Sequence, residues 1–165
     1  MRKALYILAD LDDHDIAWLA KSGELRSLAA GDTLIQAGRA VDHLFFLTDG
    51  SLEVTGPKGA RIARLEPGEV VGEMSFVEKR LPGATVKALT GARVLAVPRA
   101  AMLAEFTRDA AMGMRFYHAL AVFLSDRLRT ASNVGDNELD EGLLDTLSMA
   151  GDRFIRLIGL LEGRG

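Results

Sequence analysis

The chain has 165 residues, of which 48% are hydrophobic and 26% charged, and it contains no cysteine. This length and composition fit one globular domain, or one domain with an appendage, and exclude a disordered or fibrous protein. The lack of cysteine excludes disulfides, thiolate metal sites and a cysteine nucleophile. A formal net charge of −3 argues against a surface devoted to nucleic acid, because binding to the phosphate backbone relies on clustered lysine and arginine.

The sequence predicts neither a signal peptide at its start nor a membrane span further along. The apolar run 4–9 is too short for a signal-peptide core, and the apolar stretch 116–124 falls well short of the ~20 residues that a span needs. We therefore expect a cytoplasmic protein without membrane association.

Asp12, followed three residues later by Asp15, is typical of a capping box, so a short amphipathic helix is predicted over 13–21.

The central part of the sequence predicts β structure. From about residue 24 to residue 97, short runs of β-prone residues alternate with turns rich in Gly, Pro and Asp. The predicted strands are Thr33–Ile35, 44–47, 52–54, Arg61–Leu65, 70–71, Thr85–Ala88 and 93–97. Short strands at this spacing favour a sandwich or a small barrel over a parallel sheet.

Helix-forming residues without Gly-Pro punctuation follow Pro98 and predict helices over 100–106 and 109–130. The longer helix has a wide apolar arc around Phe116, so it needs two packing partners. One side can pack on the β domain, and the other is available to a second chain or to a later segment of this chain.

The remaining residues have a different composition. Residues 132–142 read as a linker, and 143–161 predict a last amphipathic helix. We therefore divide the chain into a domain with its closing helix over 1–131 and a linker with a C-terminal helix over 132–165.

One segment has the pattern of neither strand nor helix. Residues 72–79 begin with Gly72-Glu73, directly after the strand 70–71. A glycine that lets the backbone approach a ligand, followed by a short helical turn, presents free N–H groups to an anion. Glu73 would accept hydrogen bonds from hydroxyl groups, as carboxylates do in nucleotide sites. The same pattern also fits a turn with a solvated glutamate.

Three stretches in order resemble the cyclic-nucleotide-binding domain family. Residues 31–38 resemble its glycine-marked turn and strand, 44–54 its central hairpin, and 67–76 continuing to 84–88 its phosphate-binding cassette. We call residues 67–88 the cassette segment. The resemblance covers roughly residues 11–129. It implies a mainly β fold with flanking helices, a jelly-roll-like β-barrel (a double-stranded β-helix).

The resemblance also implies a ligand site. Gly72 would permit close approach, Glu73 would accept from a ribose 2′-hydroxyl, and the N–H groups around Met74 and Ser75 would face a cyclic phosphate, with the helix 109–130 closing over the ligand. The other candidate ligand-binding residues are Arg80, Gly83, Ala84 and Thr85. The implied ligand is cAMP or cGMP, with no further cofactor and no metal.

The sequence departs from the family pattern at Pro82, where relatives usually carry an arginine that neutralises the phosphate. Proline has neither a charge nor an N–H, so both the ion pair with the phosphate and a possible backbone donor are lost. Arg80 is the nearest residue that could compensate, and the alternative is that Arg80 is a solvated loop charge. Gly83 stands where some relatives have serine or threonine.

Two functions remain open from the sequence. The first is a regulatory sensor that binds a cyclic nucleotide or related phosphate and signals, through the helices over 109–130 and 143–161, to a homodimer partner or another protein. The second is a fold that has lost its ligand and acts as a protein–protein interaction module. An enzyme is not expected, because His14, His43 and His118 are too scattered to converge on a metal.

Specific DNA binding is not expected either. The residues after Ala131 include three basic and seven acidic side chains, and a DNA-reading domain needs a basic face.

Overall fold

A computed structural model describes residues 5–131 and 141–163. The elements in chain order are α1 (Leu5–Asp10), α2 (Asp13–Ser22), β1 (Glu24–Leu28), β2 (Thr33–Ile35), β3 (His43–Asp49), β4 (Leu52–Thr55), β5 (Arg61–Leu65), β6 (Val70–Val71), α3 (Glu73–Val77), β7 (Thr85–Ala88), β8 (Ala92–Pro98), α4 (Arg99–Arg108), α5 (Ala110–Ala131) and α6 (Glu141–Glu162).

The strands form two four-stranded antiparallel sheets. The first has the order β1-β8-β3-β6 and the second the order β2-β7-β4-β5. In the first sheet, Phe46 of β3 lies opposite Leu95 of β8 and Val70 of β6. In the second, Val54 of β4 lies opposite Val86 of β7. The predicted strands are all present, and the expected mainly β fold with flanking helices is confirmed.

The central strand β3 of the first sheet is buried on both faces. Leu44 and Phe46 pack against the helices, whereas Phe45 and Leu47 pack against residues of the second sheet. Successive side chains of a strand point to opposite faces, so a strand covered on both sides needs an uninterrupted apolar run. The molecule therefore has three layers: the second sheet, the first sheet and the helices.

The capping box predicted for the first long helix is present at α2. The N–H of Asp15 donates to Oδ1 of Asp12 at 2.9 Å, and the N–H of Asp12 donates to Oδ2 of Asp15 at 3.0 Å. These reciprocal bonds satisfy backbone donors that a helix start otherwise leaves open.

The part of the apolar arc of α5 around Phe116 is covered by segments of the same chain. Phe116 and Leu120 of α5 share a buried cluster with Leu8 of α1 and Leu157 of α6. Arg153 of α6 donates to the carbonyl oxygens of Leu8, at 3.3 Å, and of Ala9, and so caps the end of α1. The sequence left two partners open for this side of α5, a second chain or a later segment of the same chain. The structure shows the later segment, α6, together with α1.

Two elements were not predicted from the sequence, α1 and β1. α1 has six residues, and its Ile7 and Leu8 side chains share a buried cluster with residues of α5 and α6. β1 is an edge strand in which Glu24, Leu25 and Ser27 are exposed, so it lacks the strong pattern of a buried strand. The predicted linker 132–142 lies mostly outside the described residues. Among the described helices, none has the length and apolar character needed to cross a bilayer.

Candidate functional site

Gly72 fixes the start of the cassette turn. It lies between β6 and α3 with φ +93°, in the left-handed region that favours glycine. A Cβ atom at this position would lie 2.9 Å from the carbonyl oxygen of His43. Both the backbone conformation and the close packing on β3 therefore require glycine here.

α3 is held against the rest of the protein at its centre. The N–H of Phe76 donates to the carbonyl oxygen of Gly72 at 3.0 Å. Nε of Arg99 donates to the carbonyl oxygen of Phe76 at 3.2 Å, and the Arg99 guanidinium carbon lies 5.7 Å from the centre of the Phe76 ring. Glu73, the first residue of α3, is buried with 8% of its surface exposed.

The loop after α3 is tied down by backbone contacts. The Ser75 hydroxyl donates to the carbonyl oxygen of Arg80 at 3.3 Å. The carbonyl oxygen of Pro82 accepts from the N–H of Gly38 at 2.9 Å, which joins the loop to the turn after β2. The Arg80 side chain is 85% exposed, and its Nη1 lies 3.5 Å from Oε2 of Glu78.

A cavity of about 650 Å³ lies beneath this segment. Its lining residues come from both sheets, from the cassette segment and from α5: Ile35, Val54, Ile62, Ala63, Leu65, Val70, Val71, Gly72, Glu73, Met74, Ser75, Glu78, Arg80, Leu81, Pro82, Gly83, Ala84, Val86 and Phe123. The volume is within the range of small-molecule sites, about 300–1,000 Å³.

Seven of the eight site residues predicted from the sequence line this cavity: Gly72, Glu73, Met74, Ser75, Arg80, Gly83 and Ala84. Thr85 is not among the lining residues. Its hydroxyl oxygen accepts a hydrogen bond from the N–H of Ala37 at 3.1 Å, and its carbonyl accepts from the Thr55 hydroxyl at 3.4 Å. Thr85 therefore links β7 to β4 and to the turn after β2.

Sequence reasoning did not single out Phe123 or the strand residues of the cavity wall. Phe123 is buried in the helical cluster and also lines the cavity. The apolar periodicity of α5 predicts that Phe123 is buried. That Phe123 reaches the cavity depends on how α5 packs on the sheets, which the periodicity does not show. The sequence predicts Ile62 as a strand residue, but it does not predict that this side chain lines the cavity. Ile62 is 61% exposed because β5 is the edge strand of its sheet.

A second polar group lies at the start of α2, far along the chain from the cassette. Ligand-type atoms of Asp12, His14 and Asp15 lie within 4.8 Å of one another. Asp15, however, is fully buried and accepts two hydrogen bonds from Arg115 of α5, at 2.7 and 2.9 Å. Because this bidentate pair and the capping box already use these carboxylates, we interpret the group as a structural link between α2 and α5.

The electrostatics of this link follow from its geometry. The hydrogen bond from the N–H of Asp15 holds the pKa of Asp12 below its ordinary value; burial opposes this effect, and the Arg115 guanidinium adds a smaller lowering of the pKa. The hydrogen bond to Asp15 raises the pKa of Arg115. The fold therefore stabilises the charged forms of Asp12 and Arg115.

The chain is thus a β-roll with flanking helices and a cavity beneath a Gly-Glu turn. Comparison with family models gives one match over residues 25–109, described as "Cyclic nucleotide-binding domain". The chain therefore belongs to the cyclic nucleotide-binding domain family.

Solved structures agree with this assignment. The N-terminal domain of a transcriptional regulator from Streptomyces coelicolor A3(2) is 28% identical with a TM-score of 0.64, and the match covers 84% of this chain and 98% of that one. The catabolite activator protein of Thermus thermophilus, at 21% identity, has a TM-score of 0.67 over 97% of this chain and 88% of that one. The second likeness shows the fold alone.

Among curated proteins, glutaminase 2 of Bradyrhizobium diazoefficiens is 35% identical over 127 residues, which is 76% of this chain and 20% of the glutaminase. The chain spans about a fifth or less of the first curated relatives that it matches. The similarity to these longer proteins is confined to one part of each.

Proposed function

We propose that this chain is a regulatory sensor module in which a small ligand binds beneath the cassette segment. Binding is then signalled through the C-terminal helices to a second copy of the chain or to a partner protein. Membership of the family supports a cyclic nucleotide, cAMP or cGMP, or a related phosphate as the first ligand class to test. No specific DNA contact is part of the proposal.

The observation that carries this proposal is the position of Phe123. This α5 residue lines the same cavity as Gly72 and Glu73 of the cassette segment. A ligand seated there contacts α5 and the cassette at once. If the ligand binds more tightly when α5 is in one position than in another, binding raises the population of that position. This difference in affinity is enough to couple the cavity to α5.

A second contact between the cassette and the helices supports the same route. The Phe76 ring of α3 lies 5.3 Å from Phe116 and 6.1 Å from Tyr117, both of α5, and 6.3 Å from Phe106 of α4. Aromatic rings packed at these distances resist independent movement. Any displacement of α3 by a ligand is therefore passed on to α5.

The output surface in this proposal is an exposed row of apolar side chains on α5. Met114, Tyr117 and Leu128, with the small Ala121 between them, are exposed and lie three, four and seven residues apart, which places them on one helix face. We call Met114, Tyr117 and Leu128 the α5 stripe. Because Tyr117 also contacts Phe76, the stripe is in direct contact with the cassette segment.

Residues 1–131 are proposed as the ligand-binding unit, with α6 as a second element docked on it. The docking contacts are the Arg153 bonds to the end of α1 and an ion pair at 2.9 Å between Arg156 and Asp13. α6 also presents the exposed Met149 and Ile155, which makes it the second candidate surface for a partner.

Titration calorimetry against cyclic mononucleotides, cyclic dinucleotides and simpler phosphates tests binding, and sedimentation velocity with and without the bound compound tests signalling. The blocking variant is Gly83→Trp, because a Cβ at Gly83 meets no atom within 4 Å and the new ring can fill the cavity. Ala104→Trp, on the exposed side of α4, is the matched control.

We expect a saturable calorimetric signal that is lost in Gly83→Trp and kept in Ala104→Trp. The sedimentation coefficient should change only when the compound is bound. A chain that binds no compound in this cavity contradicts the proposal.

The alternative function, an interaction module without a ligand, is favoured by one observation. Pro82 supplies no charge, and the Arg80 side chain is directed towards Glu78 and solvent. In that case association of the chain is independent of every added compound and is unchanged by Gly83→Trp.

A further inference from the structure

The composition of the cavity wall bears on which ligand it accepts. Nineteen residues line the cavity, and four of them carry polar side chains: Glu73, Ser75, Glu78 and Arg80. Two others are glycines, and the rest are apolar. A ligand in this cavity therefore faces carbon over most of its surface.

The charged groups of the wall do not form an anion site. Glu73 and Glu78 are acidic, and Arg80 is the single basic residue among the described residues that line the cavity. Arg80 is 85% exposed and already lies near Glu78, whereas Glu73 is buried. An anion placed inside meets a buried carboxylate and no buried cation, and burial of an unpaired charge is strongly unfavourable.

The backbone at Pro82 does not replace the missing cation. Pro82 has no N–H, and its carbonyl oxygen, a further partial negative charge, is directed to Gly38. α3 has five residues, so few peptide dipoles add up along its axis.

Three of the exposed residues of the cavity lining are also apolar. Ile62 of β5, Met74 of α3 and Leu81 of the cassette loop are each more than half exposed. An apolar ligand that reached from the cavity to these three side chains would remove them from water, which is favourable.

We infer that the ligand of this cavity is an uncharged, mainly apolar molecule with a hydroxyl group that donates to Glu73, and that anionic phosphates bind weakly. The inference rests on the proposed sensor function and assigns it an uncharged ligand in place of a cyclic nucleotide. A carboxylate has about four acceptor positions, so Glu73 can bind a ligand hydroxyl in addition to a partner within the protein.

Two fluorescent probes with the same ring skeleton test the charge preference. N-phenyl-1-naphthylamine is uncharged, and 1-anilinonaphthalene-8-sulfonate carries one sulfonate in addition. We expect the wild-type chain to bind the uncharged probe at least about tenfold more tightly. Gly83→Trp removes this binding and Ala104→Trp does not; Ala84→Trp is a second blocking variant, should Gly83→Trp fail to fold as judged by circular dichroism.

Pro82→Arg tests the cause of the preference. The new guanidinium adds a cation beside the cavity, so we expect the sulfonate probe and cAMP each to gain about tenfold or more in affinity. The uncharged probe gains nothing from this change.

The outcomes separate the two proposals. Tight binding of cAMP or of the sulfonate probe by the wild-type cavity, removed by Gly83→Trp, overturns the inference and leaves the sensor function in place. An equal affinity for both probes also overturns the inference. If no probe and no nucleotide shows binding that the blocking variants remove, both the inference and the sensor function are wrong.

Discussion

Arg115 of α5 binds the buried carboxylate of Asp15 at the start of α2 through two hydrogen bonds, of 2.7 and 2.9 Å. The two residues are 100 positions apart in the sequence. This pair joins α5, which contributes Phe123 to the cavity wall, to α2, the helix that precedes the first strand, and so helps to hold α5 on the domain.

Removal of the Arg115 side chain is expected to be costly. Arg115→Leu leaves the Asp15 carboxylate buried without its cation, so we expect the free energy of unfolding to fall by about 3–5 kcal/mol. The matched control is Arg64→Leu, which removes an ion pair to Glu66 at a similar distance, 2.6 Å, between two exposed side chains. That loss should stay below about 1 kcal/mol in urea denaturation. If both variants lose the same unfolding free energy, the Arg115–Asp15 pair does not have the structural role assigned to it.

The depressed pKa of Asp12 predicts a pH dependence of stability. A carboxyl group whose pKa is lower in the folded than in the unfolded state stabilises the fold above its ordinary pKa, here 3.8, and loses this contribution as the pH falls through the folded-state value. Asp12→Asn keeps a capping oxygen but does not titrate. We expect the variant to be less stable than the wild type at pH 7 and the difference to shrink below about pH 4. A difference that is constant from pH 7 to pH 3 would show that charge plays no part.

The conformation of Gly72 gives a test of the cassette turn. Gly72→Ala places a Cβ in the left-handed region and 2.9 Å from the His43 carbonyl oxygen. We expect a loss of at least about 1–2 kcal/mol in unfolding free energy. Gly83→Ala is the matched control, because its Cβ meets open space and its φ is not in the left-handed region, and it should change stability by less than about 0.5 kcal/mol. A neutral Gly72→Ala variant would show that the turn does not depend on glycine.

The α5 stripe predicts how the chain associates. Leu128 is 70% exposed, so Leu128→Glu should leave the fold intact and weaken any dimer that the stripe forms. Sedimentation velocity measures this as a shift towards the monomer. Ile155→Glu introduces the same charge at an equally exposed position of α6 and serves as the control. A dimer that survives Leu128→Glu and dissociates with Ile155→Glu assigns the interface to α6 instead.

The sequence allowed the strands and the cassette to be predicted because their signals are local. The alternation of apolar and turn residues locates Thr33–Ile35 and Arg61–Leu65 with the bounds observed. Gly72-Glu73 directly after a strand locates the turn over the cavity. These features depend on neighbours within a few residues, which the sequence presents together.

The remaining features depend on contacts between distant segments. The six residues of α1 form a helix where α5 and α6 cover them, and no local pattern contains that information. The role of Phe123 in the cavity wall depends on the crossing of α5 over the sheets. The link between Pro82 and Gly38 joins two loops that the sequence places far apart.

The bond from Arg153 to the end of α1 has a consequence for the order of folding. α1 is far too short to persist alone, since isolated helices below about 12–15 residues are marginal in water. The guanidinium that caps it lies 145 positions along the chain from Leu8. Contacts of such long range close large loops and form slowly. We therefore expect the β-roll to become protected from hydrogen exchange first, with the amides of α1 and α6 gaining protection together in a later phase.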